Sequence, residues 1–245
     1  MRKLVLKWSG YDRVRKLIDL DPEQDGHSFL RRAAEEFQIH ACFFGLEERQ
    51  FKSTIFFCTH HTGAIDLLAT YPTLGMLAPD LRVVVNRKLL ALEPMAKISI
   101  SVNPLSSGIR NPEARAEITN HLRKGGNILV FPAGKVGIMR GGEVRDLPWR
   151  TGIAEIARDA AEQVIPVYVK AKNDTFFYAI RECFPRLSML FLLRYLHRRT
   201  EKSVVSVLMG KPTSRKVLKQ LSAEEILRRL RRELYSLPVQ FSQQG

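Results

Sequence analysis

The sequence predicts an α/β protein: a mostly parallel sheet flanked by helices, with a helical segment at the N-terminus. Three observations carry that prediction. Short, near-continuous apolar runs recur along the chain: "STIFFCT" (53–59), "LRVVVN" (81–86), "ISISV" (98–102), "NILVF" (127–131) and "VIPVYV" (164–169). Stretches of helical character separate them, and strands apolar on both faces belong to a parallel sheet that helices cover on both sides. The chain has 245 residues and 45% hydrophobic content, enough for one domain with a sizeable core.

Taken in order, residues 1–20 read as a basic amphipathic helix, with Leu4, Val5, Trp8, Tyr11, Val14, Leu17 and Ile18 at helical spacing. "DPEQDGHS" (21–28) breaks it and supplies the start of a second helix over 28–38, and "IHACFFGL" then suggests a strand. Residues 1–50 are therefore expected to form an N-terminal helical segment that lies on a membrane, ahead of a domain spanning 51–245. Helices are expected over 66–77, 111–124 and 151–162, between the five strands. "KSVVSVLMG" (202–210) reads as a late strand and "SAEEILRRLRRELYSL" (222–237) as a closing helix. Ser222 is its N-cap and Glu225 completes a capping box. No internal repeat or low-complexity segment is visible.

Composition excludes several classes. No run reaches the roughly 18 continuous apolar residues that cross a bilayer; "LSMLFLLRYL" (187–196) is short and interrupted by Arg194, which suits a core helix. The first residues lack the apolar h-region and small-residue cleavage site of a secretory signal. Cys42, Cys58 and Cys183 are scattered and odd in number, so neither a disulfide framework nor a metal site is expected. Charge is the extreme quantity: 39 Lys and Arg against 25 Asp and Glu leave a formal net charge of +14. Such a field attracts polyanions: nucleic acid, anionic lipid or an acidic carrier protein. No zinc-finger, RNP or helix-turn-helix signature occurs, so nucleic acid is the least suited of the three.

Chemistry concentrates in "FFCTHHTGAIDLL" (56–68). "HHTGA" joins a strand to a helix, at the carboxyl edge where open α/β sheets bind ligands. Asp66 stands five residues after His61, about one turn into the helix, from where it can reach back to the imidazole. An aspartate that fixes the tautomer makes His61 a competent general base, and Gly63 lets a substrate approach the backbone. His60 lacks that spacing. Two further segments accompany this one: "GGNILVFPAGKVG" (125–137), a strand leading into a basic, glycine-bearing loop, and "VIPVYV", a strand with Pro166 inside it. No G-x-S-x-G occurs, which disfavours a serine hydrolase.

The order and separations of the His61–Asp66 block, "FPAG" and "VIPV" resemble the lysophospholipid acyltransferase superfamily (1-acyl-glycerol-3-phosphate acyltransferase-like) over roughly 50–210. "FPAGKVG", "DLPWRTGIAEIARDA" and "VIPVYVKAKNDTFFYAI" are similar to its hemolysin-like branch, which includes lyso-ornithine-lipid acyltransferases and has alanine where a glutamate normally stands. The resemblance implies a glycerolipid-acyltransferase-like fold and O-acyl transfer to a lyso-lipid hydroxyl. No cofactor is implied: the co-substrate is an acyl thioester, on acyl carrier protein or coenzyme A. His61 would be the base and Asp66 its orienter. Thr62, Gly63, Phe131, Pro132, Ala133, Gly134 and Lys135 would form the acceptor side, with Asn86 and Arg87 of "VVNRKLL" adding to it. Phosphate-directed members carry an arginine where this chain has Val102, Asn103 and Pro104, with Arg110 a few residues on. A head group lacking a phosphomonoester, such as an amino acid, is therefore expected. So is peripheral attachment to the inner face of an anionic membrane. A catalytically silent, basic membrane- or nucleic-acid-binding relative is the alternative, and thioester turnover separates the two.

Overall fold

The computed structural model describes residues 11–21, 23–46, 50–102, 111–183, 194 and 203–243. Their elements in chain order begin with α1 (Tyr11–Asp19), α2 (Gly26–Glu36), β1 (Ile39–Phe44), β2 (Thr54–Cys58), α3 (Ala64–Leu77) and β3 (Leu81–Asn86). A 3₁₀ turn (Arg87–Ala91) leads to α4 (Glu93–Ile98), β4 (Ser99–Val102), α5 (Pro112–Arg123) and β5 (Asn127–Val130). Then come β6 (Ile138–Arg140), β7 (Glu143–Arg145), α6 (Gly152–Ala160), β8 (Gln163–Lys170) and α7 (Thr175–Cys183). The chain closes with β9 (Ser203–Met209), β10 (Thr213–Ser214), α8 (Arg215–Leu218) and α9 (Ala223–Ser242).

The main sheet runs β1-β9-β8-β2-β5-β3-β4, with β10 also on β8. Every neighbouring pair is parallel except β8–β9 and β8–β10. All five residues of β2 and all four of β5 are buried. The period of two then divides one strand between two cores. Phe56 and Cys58 face a cluster with α1, α2, α3 and α4; Ile55 and Phe57 face one with α5, α6 and α9. That double covering is why these strands read as continuous apolar runs.

Three features depart from the sequence-based expectation. Of the 1–50 segment, the described part is no separate helical unit: β1 is a strand of the main sheet, and Val14, Leu17, Phe29 and Leu30 lie in the first core. Within the basic loop after β5, β6 and β7 form a hairpin whose turn is Gly141–Gly142, both at positive φ (58° and 82°), the condition for a two-residue hairpin loop. The closing helix runs past 237 to Ser242, continuing through Pro238. Residues 1–10 of the expected first helix, nearly all of 187–196, and Asn103, Pro104 and Arg110 lie outside the described residues.

Pro166 sits where β8 changes partners on one side: β10 pairs with Val164 and β9 with Val167. The proline's missing N–H falls at that junction, while its carbonyl accepts from Gly210 N (2.9 Å). A side chain at Gly210 would meet the proline ring at 2.6 Å, so only glycine allows that approach.

A candidate active site at the carboxyl edge of the sheet

The loops after β2, β3, β5 and β8 leave one edge of the parallel sheet. Between β2 and α3, residues 59–63 form a turn whose backbone is held at each step. Gly137 N donates to His60 O (2.6 Å), Tyr178 OH to His61 O (3.0 Å), and Asn173 Nδ2 to Thr62 O (3.2 Å). His60 N donates to Asp146 Oδ1 (2.9 Å). Thr62 N and Gly63 N both donate to Asp66 Oδ2, at 2.8 and 2.9 Å, and Asp66 N returns a bond to Thr62 Oγ1 (3.1 Å). Gly63 caps α3 at φ 85°, ψ −95°, a conformation closed to residues with a side chain. A buried turn with its donors and acceptors matched in this way is rigid.

The two histidines leave this turn in opposite directions. His60 Nδ1 lies 3.6 Å from Asp66 Oδ2, and its ring packs on Phe131 with centroids 4.8 Å apart. His61 Nε2 lies 3.2 Å from Tyr235 OH and 3.7 Å from Asp146 Oδ1, its ring edge-on to Tyr168. The expected pairing of His61 with Asp66 is thus corrected: Asp66 faces His60. Adjacent residues in a tight turn project to opposite sides, and the helix entry angle decides which one the aspartate meets. Exposure separates them as well. The side chain of His60 is 19% exposed, that of His61 2% and that of Asp66 0%.

Burial sets the protonation. It pushes His60 down to about 4, with His61 and Arg181 adding to the shift, so His60 is neutral near pH 7 with a free lone pair. Burial pushes Asp66 up to about 7, against the pull of the Thr62 and Gly63 amides. His60 Nδ1 and Asp66 Oδ1 are both buried without a hydrogen bond among the described residues. A small ring movement would join the pair, and such bonds are often long before substrate arrives.

Asp146 is buried too, and burial pushes it up to about 6. Its Oδ2 accepts from Trp149 Nε1 (3.0 Å), and its own N–H donates to Tyr235 OH (2.8 Å). Gly137 and Asp146 flank the β6–β7 hairpin, so the two stems of one hairpin hold both backbone groups of His60.

Phe131, Pro132, Ala133, Gly134 and Lys135 follow β5, and the ring of Phe131 touches His60. Pro132 and Ala133 are buried; Gly134 (φ 64°) and Lys135 are exposed. Arg150 N donates to Pro132 O (3.3 Å), and its guanidinium lies 4.0 Å from where a Gly134 side chain would begin. Asn86 and Arg87 end β3 on the same sheet edge. Asn86 Oδ1 caps the 3₁₀ turn at Lys88 N, and Arg87 is exposed. Among the described residues no three His, Cys, Asp or Glu side chains are grouped to hold a metal, and no helix is long and apolar enough to cross a membrane. Sequence reasoning missed Asp146, Asn173, Tyr178 and Tyr235. The first three lie in or near the quoted "DLPWRTG" and "VIPVYVKAKNDTFFYAI" segments, whose polar residues were the available signal.

Comparison with known proteins adds a family, relatives and a fold. The model of a family described as acyltransferase matches residues 13–207. A lyso-glycine lipid O-acyltransferase from Phocaeicola vulgatus is 26% identical over 198 residues, covering 76% of this chain and 69% of that relative. A protein of the same description from Bacteroides thetaiotaomicron is 22% identical over 208 residues, covering 82% and 76%. The crystal structure of the 1-acyl-sn-glycerophosphate (LPA) acyltransferase PlsC from Thermotoga maritima superposes with a TM-score of 0.55 at 15% identity, covering 87% of this chain and 77% of that one. At that identity the likeness is one of fold.

Proposed function

This chain belongs to the acyltransferase family, and from that premise we propose that it moves a fatty acyl group from a thioester to the hydroxyl of a lyso-lipid, with His60 as general base and Asp66 as its orienter. The observation that carries the choice of base is the pairing of His60 Nδ1 with Asp66 at 3.6 Å on a ring that solvent reaches, while His61 is enclosed. With Nδ1 toward the carboxyl group, Nε2 of His60 takes the hydroxyl proton. The oxygen attacks the acyl carbonyl carbon, the C–S bond of the tetrahedral intermediate breaks, and the leaving thiolate takes the proton back from His60. Asp66 steadies the imidazolium that exists between the two transfers.

The acceptor in this reading is a lyso-lipid whose head group is an amino acid or otherwise lacks a phosphomonoester. Two relatives named for lyso-glycine lipid support it, as does Ala133 at the place of the family's glutamate. Lys135 and Gly134 are exposed, the Arg150 guanidinium lies 4.0 Å from where a Gly134 side chain would begin, and a cation there suits a carboxylate. Thr62 and Gly63 shape the turn, Phe131 supports His60, and Arg87 lies along the same edge. The donor is acyl carrier protein or acyl-coenzyme A, either of them an acidic partner for a chain of net charge +14. The protein works at the inner face of an anionic membrane, attached peripherally.

Single-turnover transfer from acyl carrier protein and from acyl-coenzyme A to lyso-glycine lipid tests the proposal. His60→Ala is expected to lose roughly 10²–10⁴-fold in rate, while His61→Ala, which keeps the dyad, loses less. Wild-type rates for His60→Ala with His61→Ala inactive would reverse the assignment. No transfer from either donor would remove the reaction.

A further inference from the structure

The closing helix α9 lies beyond residues 13–207, the part of the chain that the acyltransferase family model spans. Two of its side chains nevertheless reach the loop behind the catalytic turn. Arg231 Nη2 donates to Asp146 O (2.7 Å) and its Nη1 to Leu147 O (3.4 Å). Tyr235 OH accepts from Asp146 N (2.8 Å) and meets His61 Nε2 at 3.2 Å. Which of Tyr235 OH and His61 Nε2 donates in that contact depends on the His61 tautomer, while toward Asp146 the hydroxyl is the acceptor. Arg231 also lies over the rings of Trp149 (6.0 Å) and Tyr235 (5.8 Å). The Asp146 backbone is thereby held from α9 at both its N–H and its carbonyl.

The Asp146 side chain points the other way, with no exposure. Its Oδ1 receives the His60 N–H at 2.9 Å and its Oδ2 the Trp149 indole at 3.0 Å. We propose that Tyr235 and Arg231, acting through Asp146, are positioning residues that hold the backbone of His60 in its reactive orientation. The inference rests on His60 being the base. The chain of contacts runs from α9 to the Asp146 backbone, through the Asp146 carboxyl group to the His60 amide, and from there to an imidazole aimed by Asp66. Gly137, at the other stem of the hairpin, holds the His60 carbonyl and sets the opposite jaw. A carboxyl group is needed at 146 because two N–H donors converge on it. An asparagine offers one acceptor oxygen, and its amide would face the second donor.

That last point supplies the test, run on the full chain with acyl donor and lyso-lipid each varied up to saturation, and with rates taken per folded molecule. Asp146→Asn is expected to lower kcat by about 10²-fold, the cost of a small misplacement of a catalytic group, with KM unchanged. Tyr235→Phe, which deletes the bond to Asp146 N together with the contact to His61 Nε2, is expected to lower kcat about tenfold. Trp149→Phe removes the competing donor, so Asp146→Asn combined with Trp149→Phe should recover most of the lost kcat. A role in folding alone would change the amount of folded enzyme and show no such rescue. Wild-type kcat in Asp146→Asn or in Tyr235→Phe, or no recovery in the double variant, overturns the proposal. His60→Ala run in parallel separates the two failures. If it retains activity, the assignment of the base falls and this inference with it; if it is inactive while Asp146→Asn is not impaired, only the positioning role falls.

Discussion

At Asp66 a single carboxylate oxygen closes the turn and faces His60. Oδ2 accepts from Thr62 N and Gly63 N and lies 3.6 Å from His60 Nδ1. Asp66→Asn can keep those backbone bonds through its oxygen but presents no charge to an imidazolium. His61 has a different fate, and it is visible in stability. Burial pushes it from 6.5 down to about 4, so the unfolded chain binds a proton between those values that the folded protein refuses. Its contribution is present above pH 6.5 and is lost as pH falls toward 4. A shift of that size corresponds to on the order of 3 kcal/mol. Asp146, raised from 3.8 to about 6, acts in the opposite sense over its own range. His61→Gln should therefore show a smaller loss of urea stability than the wild type between about pH 7 and about pH 4.5. Equal losses in the two proteins would contradict this account. The sequence shows an aspartate one helical turn beyond a histidine pair, but not which of the pair it meets. That choice depends on a φ of 85° at Gly63, and glycine permits several others.

Among the elements, the turn into α3 and the β6–β7 hairpin carry the site. Gly63 has the clearest local demand, since its conformation is one that side chains avoid. Gly63→Ala is expected to cost about 1–3 kcal/mol in denaturant unfolding. It should also slow transfer, because the Gly63 N–H that supports Asp66 moves with it. Unchanged stability and rate would show that the turn tolerates another geometry. The hairpin was legible only as a basic loop. Its strands are three residues each with none of them buried, too short to show alternation, and the adjacent Gly141–Gly142 was its one signal. The closing helix was easy to read at its start, where Ser222 Oγ accepts from Glu225 N and the Glu225 carboxylate from Ser222 N. Its contact with the loop behind the 59–63 turn was not legible, because Tyr235 meets Asp146 across a sequence distance of 89 residues.

Over the whole molecule, the net charge of +14 is the property most open to measurement. Each Lys or Arg near an anionic surface contributes about 1 kcal/mol, and salt screens it. Sedimentation with anionic vesicles should show binding that falls as salt rises, and neutral vesicles should bind less. Equal binding to both at every salt concentration would refute electrostatic attachment. By itself the sequence determined the α/β class, the main strands, most helix starts, and the loops that line the candidate site. Those features are local: apolar runs, periodicity, caps and glycines act within a few residues. Only the tertiary structure decided that β1 joins the sheet through β9, that Asp66 turns to His60, and that α9 reaches Asp146. The first and last depend on groups far apart in the chain meeting at fixed angles, which are set by how the two cores pack on the sheet, and the second on the angle at which α3 leaves the turn at Gly63.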